Sequence, residues 1–220
     1  MNNTPRIFIV GPRFGFASMF VQFGWMVVTT LEDADAVQFT GGADVDPSLY
    51  GEFPHPMTHC DYNRDEQEKI IFDKARTLGK ALLGVCRGGQ FLNVMNGGAM
   101  YQHVDGHTRS HEIYDVDGGE PICLATSTHH QMMIPAVKGA KVIAIANEST
   151  SRQYMVDAKV SWNEGAHDDV EVVYYDATKS LCFQPHPEMA TLGGKLQRYY
   201  FKLIKDYLGI DSPAGLAQEV

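Results

Sequence analysis

Runs of apolar residues along this chain switch between two periods, and the switches mark out the elements. Arg6–Gly11 (RIFIVG) is short and almost continuously apolar, the pattern of a strand buried on both faces. Phe16–Gly24 spaces its apolar residues helically and predicts a short helix. Trp25–Thr30 (WMVVTT) and Ala34–Thr40 (ADAVQFT) predict two more short strands. A Gly- and Pro-rich stretch from Gly41 to Tyr62 predicts a loop. Asn63 then serves as the expected N-cap of a long helix, NRDEQEKIIFDKARTLG, with acids in its first turn, bases later and Gly79 just past its end. Ala81–Val85 predicts a strand, and Arg87–Asn96 a helix stopped by Gly97-Gly98.

The second half changes character. Asp115–Leu124 (DVDGGEPICL) predicts a hairpin, and Lys141–Ala146, Gln153–Val156 and Val170–Tyr175 predict further β segments. Ser180–Gln184 is a short strand ending at Pro185. The last helix, Gly194–Leu208, sets Leu196, Tyr199, Tyr200, Leu203 and Tyr207 on one face and ends at Gly209. An alternating β-α half, then strands, then a closing helix predicts an α/β sheet covered on both faces, in a single domain over residues 1–220. Sites in such sheets form at the carboxyl ends of the strands. Gly41-Gly42, Cys86 and His186 all follow predicted strands.

Gly84-Val85-Cys86-Arg87-Gly88 has the form G-x-C-x-G at a strand-to-helix junction, the cysteine counterpart of the nucleophile elbow. A side chain on a strained turn leaves no room for Cβ atoms two residues away, and the following helix offers its positive end. The backbone N–H of Arg87 is free to donate to an oxyanion. A lone cysteine would more simply be a buried apolar residue, so the assignment needs a base. Gln184-Pro185-His186-Pro187-Glu188 supplies one: His186 to accept the thiol proton, Glu188 to orient it, with prolines fixing the backbone between. The order Cys…His…Glu differs from the nucleophile…acid…His order of α/β-hydrolases and argues against that fold.

GVCRGGQ at 84–90 with His186-Pro187-Glu188 resembles the class I glutamine amidotransferase superfamily, most closely its gamma-glutamyl hydrolases acting on gamma-glutamyl-gamma-aminobutyrate. TGGADVDPSLYGE at 40–52, Asn63-Arg64-Asp65 and Ser127-Thr128-His129-His130-Gln131 extend the resemblance across residues 37–190. It departs from the family's usual residues at Thr40, Thr126 and Pro185. The resemblance implies a three-layer α/β/α sandwich with a flavodoxin-like, mostly parallel central sheet and a small antiparallel β addition. It implies a Cys86–His186–Glu188 triad and an oxyanion hole from the N–H groups of Gly42 and Arg87. Gln90, Ser127, Thr128 and His129 would contact the substrate. The implied reaction is cysteine-dependent hydrolysis of a small-molecule γ-glutamyl amide through a thioester, with no cofactor. Two alternatives stay open: a glutaminase subunit delivering ammonia to a synthetase partner, and a catalytically idle binding or regulatory member of the fold.

Composition narrows this further. Hydrophobic residues at 44% and charged residues at 20% are those of an ordinary globular protein. A formal net charge of −9 without a basic cluster argues against a nucleic-acid partner. The N-terminal MNNTPRIFIV lacks the pattern of a leader, no run is long enough for a membrane span, and the four cysteines (Cys60, Cys86, Cys123, Cys182) form no C-x-x-C; a cytoplasmic protein with reduced thiols is expected. Nothing in the sequence fixes the oligomeric state. Histidines crowd the middle, at 103, 107, 111, 129 and 130. His107 and His111 have a spacing that suits zinc on a helix, but Gly106 and TRSHE read as loop and no nearby Cys or carboxylate completes a set, so loop or pocket-lining histidines and no metal are expected. Asp44 and Asp46 read as loop caps, and Glu164, Asp168 and Asp169 as solvated loop charge.

Overall fold

Five parallel strands lie side by side in the order β2 (Met26–Val28), β1 (Arg6–Val10), β3 (Ala36–Phe39), β4 (Ala81–Val85) and β14 (Ser180–Phe183) in the computed structural model, which describes residues 4–146, 152–163 and 169–213. The same sheet continues antiparallel through β13 (Asp169–Tyr175), β10 (Ala140–Ala146), β7 (His111–Asp115) and β8 (Cys123–Ala125), giving nine strands. Two small sheets flank it: β12 (Lys159–Asn163), β11 (Arg152–Val156) and β6 (His103–Val104) in one, β5 (Ala99–Tyr101) and β9 (Met132–Ile134) in the other.

β4 is apolar throughout and its neighbours nearly so, Gln38 of β3 and Ser180 of β14 being buried polar exceptions, because both faces are covered. Ile7, Ile9, Leu83, Val85, Leu181 and Phe183 point to one side, where α1 (Phe16–Gln22) and α4 (Lys195–Leu208) pack with Phe20, Phe23 and Phe201. Val10, Val37, Phe39, Leu82 and Cys182 point to the other, against Phe72 of α2 (Tyr62–Thr77) and Phe91 and Leu92 of α3 (Arg87–Met95). This is the three-layer α/β/α arrangement expected from the sequence, with a mixed antiparallel end as wide as four strands.

Register sets the site. Phe39 and Cys182 both pair with Gly84, so β3, β4 and β14 end at one level. Whatever follows them emerges together: Gly41-Gly42, Cys86 and His186.

Several boundaries differ from expectation. Asp61, not Asn63, caps α2, its carboxylate accepting from the Arg64 N–H at 3.1 Å; Asn63 lies inside the first turn. The expected hairpin exists, but its connection is residues 116–122 and the strands are His111–Asp115 and Cys123–Ala125. His111 is therefore in a strand, and it is buried. Asp169 is not solvated charge: it is fully buried at the start of β13 and bonded to His107 and Arg152. Glu164 and Asp168 lie outside the described residues.

The elbow glycines are there for space. A Cβ on Gly84 would stand 2.3 Å from the Gly88 carbonyl oxygen, and one on Gly88 would stand 2.2 Å from that of Phe39. Both obstacles are backbone in the core and cannot give way. Gly88→Ala is expected to destabilise the protein by roughly 2–3 kcal/mol, the cost of forcing excess volume into a packed core. Urea denaturation followed by circular dichroism checks it; an unchanged midpoint would show that α3 can slide.

Candidate active site

Cys86 joins β4 to α3 with φ 50° and ψ −116°, a positive φ that a non-glycine residue adopts only under constraint. The constraint is visible. The Cys86 N–H donates to the Phe183 carbonyl at 2.8 Å, and its carbonyl accepts from the Gln90 N–H at 3.0 Å, the first bond of α3. The thiol is held over the sheet edge at a helix N-terminus, where the first N–H groups have no partners inside the helix.

His186 arrives from β14. Its Nδ1 is 2.7 Å from Glu188 Oε1, and its Nε2 is 3.0 Å from the Thr128 hydroxyl. A Cβ added to Gly41 would come 3.2 Å from His186 Cε1 and 3.7 Å from Cys86 Cβ, so the glycine loop closes over both side chains. Burial alone would depress the imidazole's pKa, but hydrogen bonds to Cys86 and Glu188 and their charges outweigh it and push it up to about 10. Thr126 grips the His186 backbone from both sides. Its hydroxyl donates to the His186 carbonyl at 2.6 Å, and its own carbonyl accepts from the His186 N–H at 3.0 Å. The departures at Thr126 and Thr40 thus carry bonds of their own, since the Thr40 hydroxyl donates to the Val10 carbonyl at 3.0 Å.

Arg64 organises the glycine loop. Its guanidinium donates to the Thr40 carbonyl at 2.8 Å and the Gly41 carbonyl at 3.0 Å, while its Nε holds Glu68 at 2.7 Å. In a trans peptide the N–H points opposite to the C=O. Turning the Gly41 carbonyl toward Arg64 therefore turns the Gly42 N–H away from it. Gly42 itself has φ 152°, and a Cβ there would sit 2.1 Å from Arg64 Nη1. The Arg87 side chain leaves the site: its buried guanidinium pairs with Asp65 and Glu68 of α2, so only its backbone remains at the helix end.

A cleft of about 380 Å³ opens on Cys86 and is bordered by Gly42, Asp44, Arg87, Gln90, Thr128, His129, His130, Gln131 and His186. Gln90 is oriented from behind, donating to the Gln131 carbonyl at 3.1 Å and to Gln184 Oε1 at 3.2 Å. Ser127 is not on the cleft; its hydroxyl donates to the His107 carbonyl. His129 borders the cleft but is buried, with Nδ1 against the Gln131 carbonyl at 2.8 Å. Asp44 and His130 face each other at 3.2 Å in the cleft, and that hydrogen bond raises the His130 pKa. Asp44 also accepts from the His59 N–H at 2.8 Å. No local pattern points to this pair, whose members lie far apart in the chain. Arg64–Glu68 was detectable as an i, i+4 pair on a helix.

A family model for Peptidase C26 matches residues 22–188, which takes in the glycine loop, the elbow and His186-Pro187-Glu188. The chain belongs to the Peptidase C26 family. Like other proteins with which it aligns, this Peptidase C26 member is glutamine amidotransferase-like. It is 38% identical over 102 residues to a glutamine amidotransferase-like protein of Lactococcus lactis subsp. cremoris, covering 41% of this chain and 54% of the relative. It is 44% identical over 75 residues to a Mycobacterium tuberculosis protein provisionally named a glutamine amidotransferase, covering 34% of this chain and 24% of the relative. The aligned stretch thus spans about a quarter to half of these relatives' length. Among solved structures, the Thermotoga maritima glutamine amidotransferase superposes with a TM-score of 0.56 at 14% identity, over 98% of this chain and 91% of that one. PurLQS from the same organism gives 0.61 at 15%, over 94% and 100%. At such identities the likeness is one of fold, and it places this Peptidase C26 chain on the glutamine amidotransferase scaffold. Among the described residues no helix is long and apolar enough to cross a membrane.

Proposed function

We propose that the protein hydrolyses a γ-glutamyl amide through a γ-glutamyl thioester on Cys86. The observation that carries this reading is Cys86, strained at a helix N-terminus, sharing the cleft and the cover of Gly41 with an imidazole that Glu188 holds through Nδ1. His186 takes the thiol proton, and the sulfur attacks the δ-carbon of the γ-glutamyl group. Negative charge gathering on the carbonyl oxygen meets the N–H groups of Gly42 and Arg87. His186 returns its proton to the leaving nitrogen, the C–N bond breaks and a thioester remains. Water, deprotonated by His186, then cleaves the C–S bond and releases glutamate and the thiol. Acyl transfer of this kind needs only protein groups.

The amino-acid end of the substrate is zwitterionic, and the cleft offers both signs. Asp44 suits the α-amino group, and His130, with its raised pKa, suits the α-carboxylate. Thr128 and His129 flank them, while Ser127 acts through His107 and not by contact.

A second reading has the same chemistry release ammonia to a synthetase partner. It is favoured by the fold shared with PurLQS and with the glutaminase domain of Trypanosoma brucei CTPS, which matches with a TM-score of 0.58 at 14% identity, over 96% of this chain and 97% of that one. A substrate panel separates the readings: glutamine, γ-glutamyl-aminobutyrate, γ-glutamyl peptides and poly-γ-glutamate, with Cys86→Ser as control. The stand-alone reading expects turnover of a γ-glutamyl-amine by the purified chain. Turnover of glutamine alone, rising when a synthetase is added, favours the second. No turnover of any substrate, with a stable complex to a synthetase, defeats both and leaves a binding subunit.

Arg64 provides a test of the oxyanion assignment that spares the triad. Arg64→Met removes the donors that fix the Thr40 and Gly41 carbonyls, so the Gly42 N–H loses its aim. The expected cost is roughly 10²-fold in kcat with KM little changed, the scale of one lost oxyanion donor. Steady-state kinetics on the best panel substrate checks it; equal losses of fold and activity would reassign Arg64 to stability.

A further inference from the structure

Behind the candidate cleft lies a second polar cluster, of which His129 alone also borders the cleft. His107, His111, His129 and Glu171 are all buried, and three imidazole nitrogens surround one carboxylate oxygen. Glu171 Oε1 is 3.0 Å from His111 Nε2, 3.5 Å from His107 Nδ1 and 3.7 Å from His129 Nε2. Ligand atoms of a tetrahedral zinc site, at bonds of 2.0–2.1 Å, stand about 3.3–3.4 Å apart. The observed spacings bracket that edge length. Ligand atoms of His107, His111 and Glu171 all lie within 4.8 Å of one another.

The other ring nitrogens decide which way the lone pairs face. His107 Nε2 is 2.6 Å from Asp169 Oδ2, His111 Nδ1 is 3.2 Å from the Arg109 carbonyl, and His129 Nδ1 is 2.8 Å from the Gln131 carbonyl. Carboxylates and carbonyls only accept, so His107 Nε2 and His129 Nδ1 carry the hydrogen, while His111 has an acceptor at each ring nitrogen, Arg109 at Nδ1 and Glu171 Oε1 at Nε2. The inward nitrogens of His107 and His129 then present lone pairs, and His111 joins them in the tautomer that keeps its hydrogen on Nδ1 toward Arg109, the outer-shell arrangement of metal-bound histidine. Lone pairs facing a carboxylate repel unless a cation lies between them. His107 Nδ1, His129 Nε2 and Glu171 Oε2 are buried without a hydrogen-bond partner, which is costly in a site holding only protein.

We propose that this cluster binds one divalent transition-metal ion of the zinc class, with His107, His111 and Glu171 as ligands and His129 in the fourth position. Imidazole and carboxylate donors suit Zn²⁺ and exclude a Ca²⁺- or Mg²⁺-type site, which wants oxygen alone. This assignment replaces the sequence expectation of metal-free loop histidines. The carboxylate that could complete the set, Glu171, lies on a strand distant in sequence from the histidines. The ion is structural. It ties β7 and β13 to the segment 127–131, which carries Thr128 to His186 and the Gln131 carbonyl to Gln90. The proposal concerns this cluster alone and stands whether or not Cys86 is a nucleophile.

The test uses the Cys86→Ala chain, so that the cleft thiol cannot hold metal. Zn²⁺ is removed with a chelator and added back, with metal content measured by mass spectrometry. Co²⁺ is then substituted and its visible spectrum recorded. One equivalent of Zn²⁺ per chain is expected, with intense tetrahedral Co²⁺ bands and a melting temperature roughly 5–10 °C higher with saturating Zn²⁺. His111→Gln, which lies away from the cleft, is expected to lose the equivalent and the bands. Substoichiometric metal, weak octahedral Co²⁺ bands or no thermal shift in the parent chain would overturn the proposal and leave a protonated histidine–carboxylate network. Stoichiometric metal retained in a folded His111→Gln protein would overturn the ligand set.

Discussion

In the Cys86→Ser protein, hydrolysis of every γ-glutamyl amide that the parent accepts falls by roughly 10⁴-fold or more, the scale seen when a nucleophile is removed from a triad. The hydroxyl replaces the thiol atom for atom, and the backbone bonds from Cys86 to Phe183 and Gln90 remain. The strained φ is a property of the turn, enforced by the absence of side chains at Gly84 and Gly88. The loss is therefore chemical: serine at this position has the same base but is a far poorer nucleophile than a thiolate. The melting temperature stays within about 2 °C of the parent, since the substitution changes little buried area. Steady-state kinetics with a thermal melt checks both halves. Full activity in Cys86→Ser would remove the nucleophile from the account.

The second large effect belongs to Glu188. Glu188→Gln keeps the shape but removes the charge that stabilises the imidazolium formed when His186 takes the thiol proton. A drop of roughly 10²–10⁴-fold in kcat/KM is expected, by analogy with the loss of the orienting carboxylate in serine triads. The pH dependence is the sharper readout. Folding raises the His186 pKa to about 10, burial being outweighed by the bonds to Cys86 and Glu188. The alkaline limb of kcat/KM in the parent thus lies near pH 10, and removing the carboxylate moves it to lower pH. Stability follows the same direction. The unfolded imidazole titrates near about 6.5. The stabilisation of folded imidazolium is therefore complete below that pH and is lost as pH rises through about 10. The melting-temperature gap between parent and Glu188→Gln is expected to narrow across that window. A gap that widens with pH would mean the imidazole is neutral in the folded protein.

Local signals carried much of this architecture. Strands on both sides of the elbow were legible because burial on both faces leaves unbroken apolar runs such as ALLGV, and α4 because its tyrosines and leucines repeat helically. Cys86 was legible through two glycines whose absent side chains have physical causes. What escaped depends on contacts between distant segments. Asp61 took the cap from Asn63 because the helix began earlier than its polar pattern suggested. Asp169 read as solvated charge because its partners, His107 and Arg152, are remote in sequence and no local pattern pairs them. Asp44 with His130, and Glu171 with the histidines, were hidden for the same reason. Ser127 and His129 sit one residue to either side of Thr128, yet only Thr128 reaches His186. An extended segment sends neighbouring side chains to opposite faces.

The central claim is that Cys86 attacks a γ-glutamyl carbonyl. A glutamine-mimicking electrophile, diazo-oxonorleucine, reports on it directly when its adduct is mapped by peptide mass spectrometry. The account predicts one adduct per chain, on the peptide bearing Cys86, formed in parallel with loss of turnover and slowed by competing substrate. Label on Cys60, Cys123 or Cys182 instead, or turnover persisting after Cys86 is fully labelled, would contradict it.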